Sequence, residues 1–470
     1  FKQKTAYEIR LSLVGSEMCI RDRLEKSLEN ARADACVSTA EPSALWRPYI
    51  GGPEPQEAGR ATGADAAQLS EWLRRASTVR ETFHVHPKLE RVLAARREMA
   101  DGKKPLDWGA AEILALASLA ASGVRIRLTG QDTARGTFSH RHSVLYDHED
   151  GHPYTPLQRV QEDQAPVEII NSPLNESGAL GFEYGYSLDC PDGLVVWEAQ
   201  FGDFVNAAQV ILDQFITSGE DKWRRFSGLV LLLPHGFEGM GPEHSSARLE
   251  RFLQLAAEDN IQIAQPTTPA QLFHVLRRQA LRNWRKPLVI FTPKSLLRYP
   301  QCVSPLAEFA SGEFHRVLPD TASARDIKRV LLCSGKIFYD LAAFRDKHKH
   351  VDTAIIRIEQ LYPLRAELLE QALKPYADAT PVFWVQEEPS NMGVWSYLHE
   401  RFGQNIFKRF PINLVSRPES ASPASGSANA HKLEQAHLVA RAFGDLEPDA
   451  ALILKPRPRK EADAKDSVVQ

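Results

Sequence analysis

A glutamate with several features of a catalytic acid lies near the middle of the chain, at position 176. Uncharged polar residues precede Glu176, and the glycine-punctuated apolar run GALGFEYG follows it. Burial beside this run would raise the pKa of the carboxyl, which could then hold or donate a proton near neutral pH. The alternative is structural, because a glutamate in the first turn of a helix complements the helix dipole. The spacing alone favours the structural interpretation.

Two phenylalanines, Phe201 and Phe204, follow a predicted buried strand in the run EAQFGDF. Their position suits packing against a flat heteroaromatic ring, although aromatics at this spacing more often belong to a core. The neighbouring Glu198 and Gln200 are equally consistent with structural hydrogen bonding.

A histidine, His244, lies in a glycine-rich loop immediately before a predicted amphipathic helix. Such a loop can bind an anion at a helix N-terminus. It lacks the Lys-Ser/Thr pair of a P-loop and the spacing of a dinucleotide fingerprint, which makes nucleotide binding a distant alternative. A single histidine is more often structural than catalytic, and this holds more strongly for His235.

A polar cluster follows the predicted strand 124–130, at the end where parallel strands bind ligands. Its members are Gln131, Asp132, Arg135, His140 and His142. The His-x-His spacing also suggests a metal site, but no further histidine or cysteine stands nearby. We therefore predict no metal site, and a subunit interface is as plausible for this cluster as catalysis.

The elements that must position these residues form two alternating blocks, which predict an α/β protein. Apolar runs separated by amphipathic helices indicate parallel sheets covered on both faces. The runs of the first block, 106–315, are 124–130, 193–199, 228–234, 261–266 and 287–293. Those of the second block, 316–455, are 329–335, 353–361 and 381–388. A capping box with Thr268, Pro269 and Gln271 predicts the start of one helix.

The regions outside these blocks have different compositions. Residues 1–23 lie outside the segments that carry the family resemblance described below. They resemble a translated read-through of a sequencing adapter. Residues 24–105 read as a helical linker, 416–432 as an exposed loop and 456–470 as a disordered tail.

The composition excludes several classes of protein. The 470 residues carry a formal net charge of -3, without the basic excess of a nucleic-acid-binding protein. No apolar run is long enough to span a bilayer. The five cysteines are scattered without a CxxC pair, which suits a reducing compartment.

Several longer segments carry a resemblance in matching order over most of residues 80–403. They are GQDTARGTFSHRH (130–142), NSPLNESGALGFEYGYS (171–187), WEAQFGDFVNAAQ (197–209), LLPHGFEGMGPEHSSARLERFLQ (232–254), PKSLLRYP (293–300) and VQEEPSNMGVW (385–395). Together they resemble the thiamine-diphosphate-dependent first component of the 2-oxoglutarate dehydrogenase complex. The resemblance implies a transketolase-like pyrimidine-binding domain followed by a carboxyl-terminal transketolase-like domain.

The resemblance also implies roles for the candidate residues. Glu176 would protonate the aminopyrimidine of thiamine diphosphate, and Phe201 or Phe204 would line its pocket. His244 would face cofactor and substrate, where it could hydrogen-bond an oxyanion or a carboxylate. Other candidates for the substrate or an interface are His140, His142, Gln131, Arg135 and His235. Three residues are expected at a domain or subunit contact: Glu387, Glu388 and Asn391.

The family holds the diphosphate through Mg²⁺ with a GDG motif and a later asparagine, and this sequence contains no GDG. We therefore expect a carboxyl-terminal half, inactive alone, with an unrelated leader joined at about residue 24. The resemblance implies a homodimer that works with a succinyltransferase and a dihydrolipoyl dehydrogenase, in the bacterial cytoplasm or the mitochondrial matrix. The alternatives are action on another 2-oxo acid, such as 2-oxoadipate, or a non-catalytic assembly subunit.

Overall fold

The structure, a computed structural model, describes residues 6–33, 44–55, 61–321 and 326–446. The chain divides into two compact units, 1–47 and 48–470. In the first unit the helix α1 (Ala6–Ala33) continues through residue 23, where we expected the leader to end. The predicted disordered tail, 456–470, lies outside the described residues.

The second unit contains the remaining helices and all of the strands described. Its helices are α2 (Ala66–Arg75), α3 (Pro87–Ala100), α4 (Trp108–Ala121), α5 (Glu176–Asp189), α6 (Gln209–Ile211), α7 (Gly219–Trp223), α8 (Leu249–Leu255), α9 (Pro269–Leu281), α10 (Leu306–Ala310), α11 (Ile337–His348), α12 (Ala366–Leu373), α13 (Trp395–Phe402) and α14 (Ala428–Phe443). Within the described residues, no helix combines the length and apolarity needed to cross a membrane.

The strands form two large sheets and one short hairpin. They are β1 (Ile126–Gly130), β2 (Leu145–Tyr146), β3 (Pro153–Tyr154), β4 (Val167–Asn171), β5 (Leu194–Glu198), β6 (Val230–Pro234), β7 (Gln262–Ala264), β8 (Leu288–Thr292), β9 (Val317–Leu318), β10 (Arg329–Cys333), β11 (Thr353–Ile358), β12 (Gln360–Tyr362), β13 (Val382–Pro389), β14 (Asn405–Ile406) and β15 (Phe410–Arg417).

The first sheet has the order β12-β7-β8-β6-β5-β1-β4, and all its neighbours are parallel except β12 and β7. The strands β5, β6 and β8 are buried at every residue, because helices cover both faces. The helix α4 is buried along nearly its whole length, which places it inside the domain rather than on its surface.

The second sheet has the order β14-β15-β13-β10-β11-β9, with a parallel centre and an antiparallel strand at each edge. The prediction of two successive parallel α/β domains is therefore confirmed. One hydrophobic cluster runs unbroken from the first sheet into the second.

One predicted strand was wrong in its extent. The run 353–361 divides between the sheets, since β11 belongs to the second sheet and β12 adds an antiparallel edge to the first. Glu359 lies fully buried at the division and accepts hydrogen bonds from the backbone N–H and hydroxyl of Thr267. The short segment around Glu359 therefore links the two domains.

Two further predictions need correction. The predicted loop 416–432 is shorter, because β15 ends at Arg417 and α14 begins at Ala428. Thr268 does cap α9 by accepting the N–H of Gln271. The Gln271 side chain does not close the capping box, since it donates instead to the carbonyl of His315.

Candidate active site

The sequence candidates gather at one edge of the first sheet. The strands β8, β6, β5, β1 and β4 are adjacent and parallel, so their carboxyl ends face the same edge. Gln131 follows β1, Gln200 follows β5 soon after its end, and His235 follows β6 directly. This is the edge at which open parallel sheets bind ligands.

Glu176 is the first residue of α5, which begins soon after β4 ends. The Asn175 side chain caps the helix by accepting the N–H of Gly178 at 2.8 Å. The Gln131 amide donates to Glu176 Oε1 at 3.2 Å. The half-buried carboxyl of Glu176 borders a small cavity that Trp197 and other residues of β5 also line. Glu176 thus both begins a helix and borders a cavity, so its position is consistent with the structural interpretation and with ligand binding.

Two phenylalanines pack against His244, and a third packs on one of them. The ring centroids of Phe201 and His244 are 4.2 Å apart, and Phe204 lies 6.0 Å from the same imidazole. Phe138 contacts Phe201 edge to face at 5.7 Å. The chain therefore places an apolar aromatic wall beside the one histidine that the sequence selected as catalytic.

The loop that carries His244 is fixed by buried polar groups. The Lys294 ammonium donates to the His244 carbonyl, and burial lowers the pKa of this lysine. The Ser245 N–H donates to Asp203 Oδ2 at 3.2 Å, and burial raises the pKa of Asp203. The backbone N–H of Gly236 donates to the Ser245 carbonyl. The position of His244 thus depends on several elements of the first domain.

A fully buried guanidinium, that of Arg141, lies behind the site. It donates to both carboxylate oxygens of Glu112 at 2.5 and 2.9 Å, and to both of Glu198 at 2.6 and 2.7 Å. A further bond reaches the carbonyl of Thr133. Arg141 therefore joins α4, the loop after β1 and the carboxyl end of β5. Burial raises the pKa of Glu198, against the attraction of Arg141.

His140 directly precedes Arg141, and 8 % of its side chain is exposed. Burial and the positive charge of Arg141 lower the pKa of His140 to about 3, so its ring is neutral at physiological pH. Its Nδ1 has no hydrogen-bond partner among the described residues. The Arg96 guanidinium donates to its carbonyl at 2.6 Å.

The described residues contain one group with metal-ligand geometry, formed by Glu112, His140 and Glu198. Arg141 hydrogen-bonds all four carboxylate oxygens of this group. The space that a cation would need is therefore taken by a guanidinium, and we assign no metal to it.

The other candidates lie apart from this centre. Arg135 is exposed and pairs with Asp132 three residues earlier. His142 is half-buried and adopts a positive φ of 49°. Asn391 bonds Ser420 within the second domain.

Two adjacent glutamates of β13 pair with basic side chains, and one of these pairs crosses the boundary between the domains. Glu388 lies 2.8 Å from His235 Nε2, across the boundary between the domains. Glu387 pairs at 2.5 Å with the largely buried Lys336 of its own domain, the second.

Two family models match the chain, one after the other. The transketolase pyrimidine-binding domain matches residues 104–300. The carboxyl-terminal domain of 2-oxoglutarate dehydrogenase matches residues 303–443. The chain belongs to the 2-oxoglutarate dehydrogenase E1 family.

Curated relatives named 2-oxoglutarate dehydrogenase E1 component agree with this membership. The relative from Cupriavidus necator is 49 % identical over 431 residues, which cover 88 % of this chain and 45 % of the relative. The relative from Coxiella burnetii is 48 % identical over 429 residues, covering 90 % and 46 %. The relative from Haemophilus influenzae is 50 % identical over 361 residues, covering 76 % and 39 %. The chain thus spans less than half the length of each.

Several residues of this candidate site were not found from sequence. Arg141 stands between two histidines that drew attention instead, and its partners Glu112 and Glu198 are 29 and 57 residues away. Phe138 carried no signal beyond its place in the polar cluster. Lys294, directly after a predicted buried strand, could have been found from its position at a strand end.

Replacing Arg141 by methionine should lower the free energy of unfolding by about 3–5 kcal/mol, because two buried carboxylates lose their counter-charge. Urea unfolding measures this loss. The same replacement at exposed Arg135 should change the stability by less than about 1 kcal/mol. Adding Glu198→Gln to Arg141→Met should recover at least about 1 kcal/mol. Equal losses at Arg141 and Arg135 would contradict the central role of the buried guanidinium.

The neutral His140 predicts a loss of stability in acid. Its pKa is about 3 in the folded chain and 6.5 in a model peptide. Between these values only the unfolded chain takes up the proton, so stability falls as the pH drops below 6.5, by about 1.4 kcal/mol per pH unit. Unfolding at pH 7 and pH 5 should show a drop about 2 kcal/mol smaller in His140→Asn than in wild type. Exposed His148→Asn is the control and should retain the wild-type dependence.

Proposed function

We propose that this chain supplies the pyrimidine-binding and carboxyl-terminal domains of an enzyme that decarboxylates 2-oxoglutarate with thiamine diphosphate. The succinyl unit would pass to the lipoyl group of a partner succinyltransferase, in a complex that also contains dihydrolipoyl dehydrogenase. Family membership supports the reaction class. The finer points, which include the substrate, the partners and a cytoplasmic location, are our inference.

The observation that carries the proposal is the arrangement around the end of β5. Gln200 lines the cavity that Glu176 borders, and the next residue, Phe201, touches the His244 ring. One short segment therefore connects a carboxyl with an aromatic wall and an imidazole. A flat ring with a basic nitrogen at one edge suits such a site, since the rings pack on its face and a carboxyl meets its edge.

The residues present fit the aminopyrimidine part of thiamine diphosphate. Glu176 would hydrogen-bond the ring nitrogen and hold the proton there, oriented by the Gln131 amide. Phe201 and Phe204 would form one wall. His244, fixed through its own backbone by Lys294, would donate to an oxyanion or a substrate carboxylate. When bound, the cofactor supplies the nucleophilic carbon and the electron sink of decarboxylation.

The diphosphate and its Mg²⁺ would be held outside the described residues of this chain. The one carboxylate group with metal-ligand spacing in the described ranges is filled by Arg141. The relatives are more than twice as long as the part matched here. A domain carrying the GDG motif would therefore meet this site from another polypeptide segment.

We further propose that a second copy of this chain packs against an apolar face beside Glu176. Phe182, Val210 and Trp223 are 55 %, 59 % and 47 % exposed. Trp223 lines a groove of about 620 Å³ together with Gly181 and Ile211, the sequence neighbours of Phe182 and Val210. Gly181 and Gly185 of α5 leave the helix backbone open to close approach, since a Cβ at Gly185 would meet nothing within 4 Å. Because α5 begins with Glu176, a partner on this face would border the site.

A hybrid enzyme tests the catalytic role. Residues 48–446 would replace the matching segment of the Cupriavidus E1 component, and release of CO₂ from 2-oxoglutarate would be measured. We expect activity in the hybrid, and a loss of at least about 100-fold in kcat for Glu176→Gln, because a general acid is removed. Glu162→Gln, at an exposed position, is the control. Full activity with Glu176→Gln would sink the assignment.

The same hybrid separates the remaining alternatives. Greater turnover with 2-oxoadipate than with 2-oxoglutarate would change the substrate. A folded hybrid that binds the complex without releasing CO₂ from either acid would support a non-catalytic assembly subunit instead.

The proposed dimer face predicts the effect of one buried charge. Val210→Asp should shift the protein from dimer to monomer in light scattering, because a carboxylate would enter an apolar contact. Val351→Asp is the matched control, since Val351 is also exposed, at 73 %, but lies in the second domain. A wild-type monomer, or equal dimers in both variants, would exclude this face.

A further inference from the structure

The two domains meet at a histidine whose tautomer the surrounding hydrogen bonds determine. The backbone N–H of Ala247 donates to His235 Nδ1 at 3.1 Å. Since a backbone N–H can only donate, Nδ1 must be unprotonated. The proton of the neutral ring is then on Nε2, which lies 2.8 Å from Glu388 Oε1. The carboxylate of the second domain therefore accepts the proton-bearing side of the ring.

Ala247 connects this histidine to the candidate active site. It lies three residues after His244 and is fully buried. It also packs closely on Gly202, where a side chain would approach the Ala247 Cβ to 2.5 Å and the Pro234 carbonyl to 2.4 Å. Gly202 directly follows Phe201, which contacts His244. A shift of Ala247 would therefore move both the aromatic wall and the histidine.

Other contacts from the second domain reach the end of the same loop. The Gly393 N–H donates to Glu250 Oε2 at 3.0 Å, and Arg248 Nη1 lies 3.4 Å from Met392 Sδ. The Glu388–His235 pair lies immediately before the loop 236–248, and the contacts of Arg248 and Glu250 lie at its end. Docking of the second domain is thus transmitted to the segment that carries His244.

We propose that His235 is a positioning residue. Glu388 fixes the Nε2–H tautomer of His235 and so keeps its Nδ1 free to accept a hydrogen bond. Nδ1 then holds the Ala247 amide, and with it the His244 loop, in place. The inference rests on the proposed function only where it gives the His244 loop a catalytic role. Its physical content, a tautomer and a restrained amide, is independent of the substrate and of any cofactor.

The tautomer is measured directly in the wild-type chain. With ¹⁵N-labelled histidine, NMR separates the two ring nitrogens, and the His235→Asn variant identifies the His235 signals among those of fifteen histidines. We expect a protonated Nε2 and an unprotonated Nδ1 for His235. Protonation of Nδ1 in the wild type would overturn the proposal, whether or not any variant folds.

Hydrogen exchange across residues 240–248 tests the restraint. Glu388→Leu and His235→Leu should each accelerate amide exchange there by about tenfold, the effect of losing one buried hydrogen bond. Glu388→Gln can still accept from Nε2–H, and His235→Asn places an acceptor near the position of Nδ1. Both should stay within about threefold of wild type. Asparagine at position 235 is too short to reach Glu388, so its rescue would not occur if the pair only joined the two domains.

The control is His274→Asn, which disturbs another buried histidine, one that binds Thr62 and the Glu308 carbonyl. It should leave exchange in 240–248 unchanged. The proposal is overturned if Glu388→Leu has no effect on this segment, or if His235→Asn exchanges as fast as His235→Leu. Failure of decarboxylation in the hybrid enzyme would affect the proposed function and leave both of these measurements valid.

Discussion

The buried guanidinium of Arg141 is the interaction on which the site depends. Two carboxylates, Glu112 on α4 and Glu198 at the end of β5, lie in the interior and would repel each other without it. Removing a charge from water is costly, and only close, multiple hydrogen bonds offset the desolvation. Because Glu198 also borders the cavity of Glu176, the geometry of the candidate catalytic carboxyl depends on this pair.

The same solution recurs where the two domains meet. Within the second domain Lys336 neutralises Glu387, and across the boundary Glu388 accepts from His235 of the first domain. Glu359, which lies between β11 of the second sheet and β12 of the first, is fully buried and accepts a hydrogen bond from Thr267. Buried, satisfied polar groups of this kind fix one relative arrangement of the domains, which apolar contacts alone specify less strictly.

Much of the fold was predictable because parallel strands buried on both faces are uniformly apolar. The run 228–234 predicted β6 (Val230–Pro234) closely, and the same holds for β5 and β8. The edge strand β4 was missed, because Glu168 and partial exposure interrupt its apolar pattern. The sequence also identified Glu176, Phe201, Phe204 and His244, whose roles stay predictions. It missed Arg141, because the partners of this residue, Glu112 and Glu198, are 29 and 57 positions away and leave no local sequence pattern.

The central claim is that the ends of β1, β4, β5 and β6 form one site for an aminopyrimidine ring. A crystal structure of the hybrid enzyme with thiamine diphosphate and Mg²⁺ tests it most directly. We expect a Glu176 carboxylate oxygen within about 3 Å of the pyrimidine ring nitrogen, with Phe201 or Phe204 against the ring. A bound cofactor whose pyrimidine lies away from Glu176 would contradict the claim.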